Sequence, residues 1–121
     1  MSIFKKFFTT EGRLNRKRYL IYMILFALAM TAAKISTTAM ATLLTGDPTG
    51  GLVMAITMVL IVIAGTGNIM MIIRRLHDMD KSGYFALIVF VPVIGTIFSI
   101  WLFFAPGTVG YNQYGADPLT Q

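Results

Sequence analysis

Twice the chain runs for 22 residues without one charged side chain, from Leu52 to Ile73 and from Tyr84 to Ala105. A third stretch, Tyr19 to Leu44, is broken only by Lys34. A bilayer core of about 30 Å takes about 20 helical residues rising about 1.5 Å each. Hydrophobic residues make up 56% of the 121 residues and charged ones 12%, where a soluble domain carries roughly a quarter. That balance argues against a water-soluble domain, and the apolar content excludes a disordered chain. The reading is all-α: one integral membrane bundle of three transmembrane helices, 19–44, 52–73 and 84–105, preceded by an interfacial amphipathic segment. Short connections leave no room for a second domain. The 45–51 connection, Thr-Gly-Asp-Pro-Thr-Gly-Gly, has the composition of a turn.

Charge gives the orientation. Lys5, Lys6, Arg13, Arg16, Lys17 and Arg18 precede the first run, and Arg74, Arg75 and Lys81 precede the third. Lys and Arg are retained on the cytoplasmic side. Three crossings then place residues 1–18 and the 74–83 loop inside, and the 106–121 tail outside, in the periplasm of a bacterial inner (plasma) membrane. Ala39-Met40-Ala41 has the form of a signal cleavage site, but Lys34 interrupts the apolar stretch and two more runs follow. The tail, with turn composition and two tyrosines, is expected to fold back on the outer membrane surface or on the bundle.

The net charge of +5 points to anionic phospholipid rather than nucleic acid. In Ser2 to Phe8 the residues Ile3, Phe4, Phe7 and Phe8 share a helical face beside Lys5 and Lys6, which suits the headgroup boundary. Arg13, Arg16 and Arg18 are candidate phosphate contacts, since guanidinium binds phosphate oxygens bidentately. Tyr19 and Tyr22 fit an aromatic belt.

Chemistry-bearing residues are few. No cysteine and one histidine exclude disulfides, thiolate nucleophiles, zinc fingers and iron–sulfur clusters. No catalytic set, metal site or cofactor site is visible. Lys34 lies about 22 Å along the helix from Tyr19 and is read as reaching the outer headgroups, with a polar pathway as the alternative. Asn68, beside Gly65 and Gly67, suits a helix–helix contact, with a ligand site as the alternative. Ala29, Ala33, Thr37 and Ala41 form a small-residue stripe that suits a second copy or another membrane protein. Pro92 and Gly95 predict a kink in the third helix. The 74–83 loop is densest in polar groups. It reads as a salt-bridged turn, Arg74 and Arg75 on phosphates and Asp78 or Asp80 capping the next helix; a His77–Asp78 acid/base pair is the alternative.

Gly12-Arg13 through Tyr19, Arg74-Arg75-Leu76-His77-Asp78 with Ser82-Gly83, Pro92 with Gly95, Gly107-Thr108 through Asn112, and Gly115 with Asp117-Pro118 occur in this order. The set resembles a bacterial family, domain of unknown function 805 (DUF805). Relatives carry tryptophan near Tyr84, an acidic residue at Tyr111 and arginine at Gln113; this chain departs there. The resemblance implies a small inner-membrane protein with no established activity. Together these features point to a non-enzymatic accessory or scaffold acting through helix packing. The alternatives are a small transporter or channel component, and a lipid-headgroup binder or enzyme built on the Arg-Arg-Leu-His-Asp loop.

Overall fold

The computed structural model describes residues 7–48 and 50–120. The amphipathic Ser2–Phe8 segment lies largely outside them, as do Lys5 and Lys6. Helix α1 spans Arg16–Thr45 and α2 spans Gly51–Asp78, each long and apolar enough to cross a membrane. The Asn15 side chain accepts from Arg18 N–H at 2.7 Å and starts α1. Gly46 ends it at φ 73°, its N–H returning to Thr42 O, because a left-handed terminal residue favours glycine. The hydroxyls of Thr37, Thr42, Thr45 and Thr66 each donate to a carbonyl four residues back, so no hydroxyl of theirs meets apolar surroundings unbonded.

The two helices close on each other around Phe26. A Cβ at Gly67 would lie 2.4 Å from the Phe26 ring, so glycine there lets the ring seat against the α2 backbone. Phe7 and Phe8 add aromatic contacts to Phe26, with ring centroids 5.6 Å apart in both pairs. Gly65 has open space around it and is not part of this contact. Of the small-residue stripe, Ala41 is buried and Ala29 exposed.

The third apolar run is not one helix. Gly83–Phe90 forms a 3-10 helix, capped by Ser82, whose hydroxyl accepts from Tyr84 N–H at 3.3 Å. Val91 is extended, as a residue before proline prefers. Helix α3 then spans Ile94–Phe104. Ile94 N–H reaches Pro92 O at 2.7 Å across Val93, which sits at φ 67° and ψ −60°. This is a γ-turn, a strained geometry for a β-branched residue. A Cβ at Gly95 would lie 2.4 Å from Val89 O, so glycine lets the two arms touch backbone to backbone.

The arms fold into a hairpin. Gly83 starts beside Ile73 near the end of α2, and Leu102 and Ala105 return to Arg75. The continuous 84–105 helix and its simple kink are therefore corrected: Pro92 lacks the N–H that a continuing helix needs, and Gly95 permits the close return. The 74–83 loop is corrected likewise, since α2 runs through Asp78. The tail does not lie on the far side from that loop. Thr108 N–H donates to Asp78 O and Asn112 Nδ2 to His77 O, placing residues 108–115 at the same end of the molecule as Arg13 and Asp78.

Candidate functional site

The last four carbonyls of any α-helix lack partners within the helix and carry negative partial charge. At the end of α2 donors come from the segment before α1, from the chain just after α2 and from the tail after α3. Leu14 N–H reaches Arg74 O at 3.1 Å, Lys81 N–H reaches Leu76 O at 2.9 Å, and Asn112 Nδ2 reaches His77 O at 2.8 Å. Asp78 O accepts from Thr108 N–H at 2.6 Å. The end of α3 is closed by guanidinium groups: Arg75 Nε donates to Leu102 O at 2.8 Å, its Nη2 to Ala105 O, and Arg16 to Phe104 O at 3.2 Å.

Asp78 stands between two cations. Its Oδ1 is 3.0 Å from Arg13 Nε and its Oδ2 2.9 Å from Arg75 Nη1. Arg75 is 0% exposed, and Arg13 and Asp78 are also buried. Arg13 donates further to Gly110 O at 2.6 Å, to Gly115 O at 3.2 Å and to Thr108 O. A Cβ at Gly107 would lie 2.1 Å from Asp78 Oδ2, so only glycine lets the tail pass the carboxylate. Asp117 accepts from the N–H groups of Gly110 and Leu119, each at 2.9 Å. Those backbone bonds, helped by the Arg13 charge, hold its carboxyl below the usual carboxylate range.

The structure thus brings Arg75, Asp78 and Arg13 together and gives them roles unlike those expected. Arg13 is no lipid-phosphate contact, since its guanidinium is engaged by carbonyls and Asp78. Arg75 is not a phosphate anchor for the same reason, and Arg74 is buried. Arg16 and Arg18 are exposed. Tyr19 is buried against Phe103, 4.9 Å between ring centroids, rather than in an aromatic belt. Asp78 orients no imidazole. His77 instead stacks flat on Tyr114, ring centroids 3.8 Å apart, with Nδ1 3.3 Å from Gly12 O. Ser82, not Asp78 or Asp80, caps the next helix.

Lys34 and Asn68 stand apart from this cluster. Lys34 is exposed on α1 beside a shallow hollow between α1 and α2. Asn68 lines a different hollow, between α2 and the hairpin. The tail residues Gly107, Thr108, Asn112, Gly115 and Asp117 were not among the expected site residues. Their signal was the turn composition of the tail, which does not say where the tail docks. Among the described residues no group of three or more His, Cys, Asp or Glu is placed to hold a metal ion.

A family described as "Protein of unknown function (DUF805)" matches residues 7–116. The inner membrane protein YhaI of Escherichia coli (strain K12) is 54% identical over 46 residues, 38% of this chain and 39% of that protein. Inner membrane protein YhaH of the same strain is 44% identical over 45 residues, 37% of each chain. The aligned stretches span less than two fifths of the length of these curated relatives. No solved structure matches the chain. Motif blocks of the sequence meet at the charge cluster through Arg13, Arg75, Asp78, Gly107, Thr108, Asn112 and Asp117, while Ser82-Gly83 and Pro92 with Gly95 build the hairpin. Tyr84, Tyr111 and Gln113, the positions at which the resemblance implies a departure from the family pattern, are exposed.

Proposed function

The chain belongs to the DUF805 family of membrane proteins of unknown function, and on that premise we propose that it is a non-catalytic accessory or scaffold of the inner membrane, acting through what packs on its apolar helix faces. The observation that carries this reading is the saturation of the charge cluster. Arg13, Arg75 and Asp78 spend their hydrogen-bonding capacity on one another and on backbone carbonyls, and a catalytic constellation needs groups left over for a substrate. The half of the molecule beyond the hairpin is instead an α1–α2 pair with broad apolar exposure, such as Leu43 at 82% and Val62 at 65%. A second copy of the chain or another membrane protein suits those faces. Transport has less support, because Lys34 and Asn68 line different hollows and two long helices enclose no path.

In this reading the bilayer is crossed twice, by α1 and α2. The hairpin arms, about 16 Å each by their rise per residue, enter and leave on one side. Both the 7–18 segment and the tail then share the cytoplasmic face with the charge cluster. Irregular backbone at membrane depth must satisfy its own polar groups. At the hairpin tip Ile94, Gly95 and Ile97 N–H are bonded within the turn, and Pro92 brings no N–H at all.

Two measurements test the proposal. The chain has no native cysteine, so single replacements Pro48→Cys, Lys81→Cys and Tyr111→Cys report sidedness to an impermeant thiol reagent on intact cells. Pro48→Cys is expected to label and the other two to stay dark; labelling of Tyr111→Cys together with Pro48→Cys rules out the two-crossing arrangement. A photoreactive amino acid at Leu43 or Val62 is expected to give a discrete protein–protein adduct in native membranes. Products with lipid alone at both positions count against a scaffold.

A further inference from the structure

Two adjoining hollows of about 520 and 580 Å³ run along α2 beside the 3-10 arm of the hairpin. They share Thr10, Ile69, Ile73 and Phe90 in their walls, so together they make one groove. Its inner end lies between Gly65, Asn68 and Val89 and is almost wholly apolar. Its outer end is bordered by His77, Ser82 and Tyr114. From His77 to Gly65 is twelve residues of helix, about 18 Å, close to the hydrocarbon depth of one leaflet, about 15 Å.

We propose that this groove binds one anionic glycerophospholipid of the cytoplasmic leaflet, an acyl chain along Ile73, Ile69 and Gly65 and the headgroup at His77 and Ser82. Three features select that occupant. Depth matches a single leaflet rather than a full crossing, which fits a chain end and not a partner helix. The polar groups are confined to the mouth. The Ser82 hydroxyl accepts from Tyr84 N–H and so has its own proton left to donate to a phosphate oxygen; His77, with Nδ1 directed at Gly12 O, leaves Nε2 to accept from a headgroup hydroxyl. Charge permits it: no carboxylate lines either hollow, and Lys81, exposed next to Ser82, offsets the neighbouring exposed Asp80, each basic residue near an anionic surface adding about 1 kcal/mol of attraction.

The inference rests on the membrane placement proposed above, and its test separates the two. The full chain is purified in mild detergent, exposed to an equimolar mixture of phosphatidylglycerol and phosphatidylethanolamine, and examined by native mass spectrometry. One retained phosphatidylglycerol per chain is expected. A Cβ at Gly65 meets nothing within 4 Å, so Gly65→Leu fills the groove without disturbing the chain and is expected to cut lipid occupancy at least tenfold at an unchanged melting temperature. Ser82→Ala is expected to lower the retention of both lipids alike, since both carry the phosphate it would bind, and Lys81→Ala to lower the preference for phosphatidylglycerol. No adduct on the unaltered chain, or equal adducts with and without Gly65→Leu, overturns the assignment. So does a shift by Gly65→Leu from dimer to monomer with lipid unchanged, which would make a second copy the occupant. If cysteine labelling upholds two crossings while no lipid is retained, the groove assignment alone fails; if lipid is retained but Tyr111→Cys labels from outside, the placement alone fails.

Discussion

Replacing Asp78 by alanine is expected to cost about 3–5 kcal/mol, because it strands two buried guanidinium groups without their shared counter-charge. Arg13 Nε and Arg75 Nη1 stand 3.0 and 2.9 Å from its two oxygens, and the two arginine side chains are 1% and 0% exposed. The loss should show as a fall in melting temperature in detergent and as poor accumulation in the membrane. Asn is expected to be nearly as damaging, since it keeps the shape and removes the charge. The check against a generic packing defect is a cycle. Arg13→Met alone should also destabilise, and Arg13→Met combined with Asp78→Asn should cost less than the sum of the two, because contacting residues of one network are not additive. Strict additivity would mean that the pair is not coupled.

Gly95→Val is expected to open the hairpin. Its first side-chain carbon would stand 2.4 Å from Val89 O and 2.9 Å from Ile88 O, both backbone atoms that cannot rotate aside, and overpacking of this kind typically costs about 1–3 kcal/mol. The arms would separate, and Ala86 and Leu102, both buried, would lose cover. Faster proteolysis between residues 83 and 104 and a lower melting temperature are the readouts. Gly65→Ala, with open space around it, is the matched control and should change neither. Equal behaviour of the two variants would show that the arms do not meet at Gly95.

The two long helices could be read from hydropathy, though not their ends; α1 begins three residues before the apolar run at Tyr19, just after the Asn15 cap. The hairpin could not. An uncharged run of 22 residues satisfies one crossing or two shorter arms equally well, and Pro92 with Gly95 reads as a kink or as a reversal depending on contacts made far along the chain. Charge asymmetry could not separate the two either. The 106–121 tail holds no Lys or Arg, so placing it on either side leaves the distribution of cations unchanged. The arginines misled for a physical reason. A guanidinium beside an apolar run can bind lipid phosphate or helix-end carbonyls, and the acceptors here come from Leu14, Leu102, Ala105, Thr108 and Gly110, distant in sequence from the groups they meet. His77 and Asp78, neighbours in sequence, turn to different partners because adjacent helical positions face about 100° apart.

Arg13 and Gly115, 102 positions apart in sequence, meet, so their contact closes a loop that encloses both long helices and the hairpin. Such a closure comes late in assembly, because its entropy is lost before the contact repays it. In the two-crossing arrangement proposed above, insertion of α1 and α2 can precede it, and the fastener snaps shut only once the downstream strap has been synthesised. Until that moment Arg13 lacks the carbonyls that hold it, and the nascent molecule carries an unlatched cation at the membrane edge.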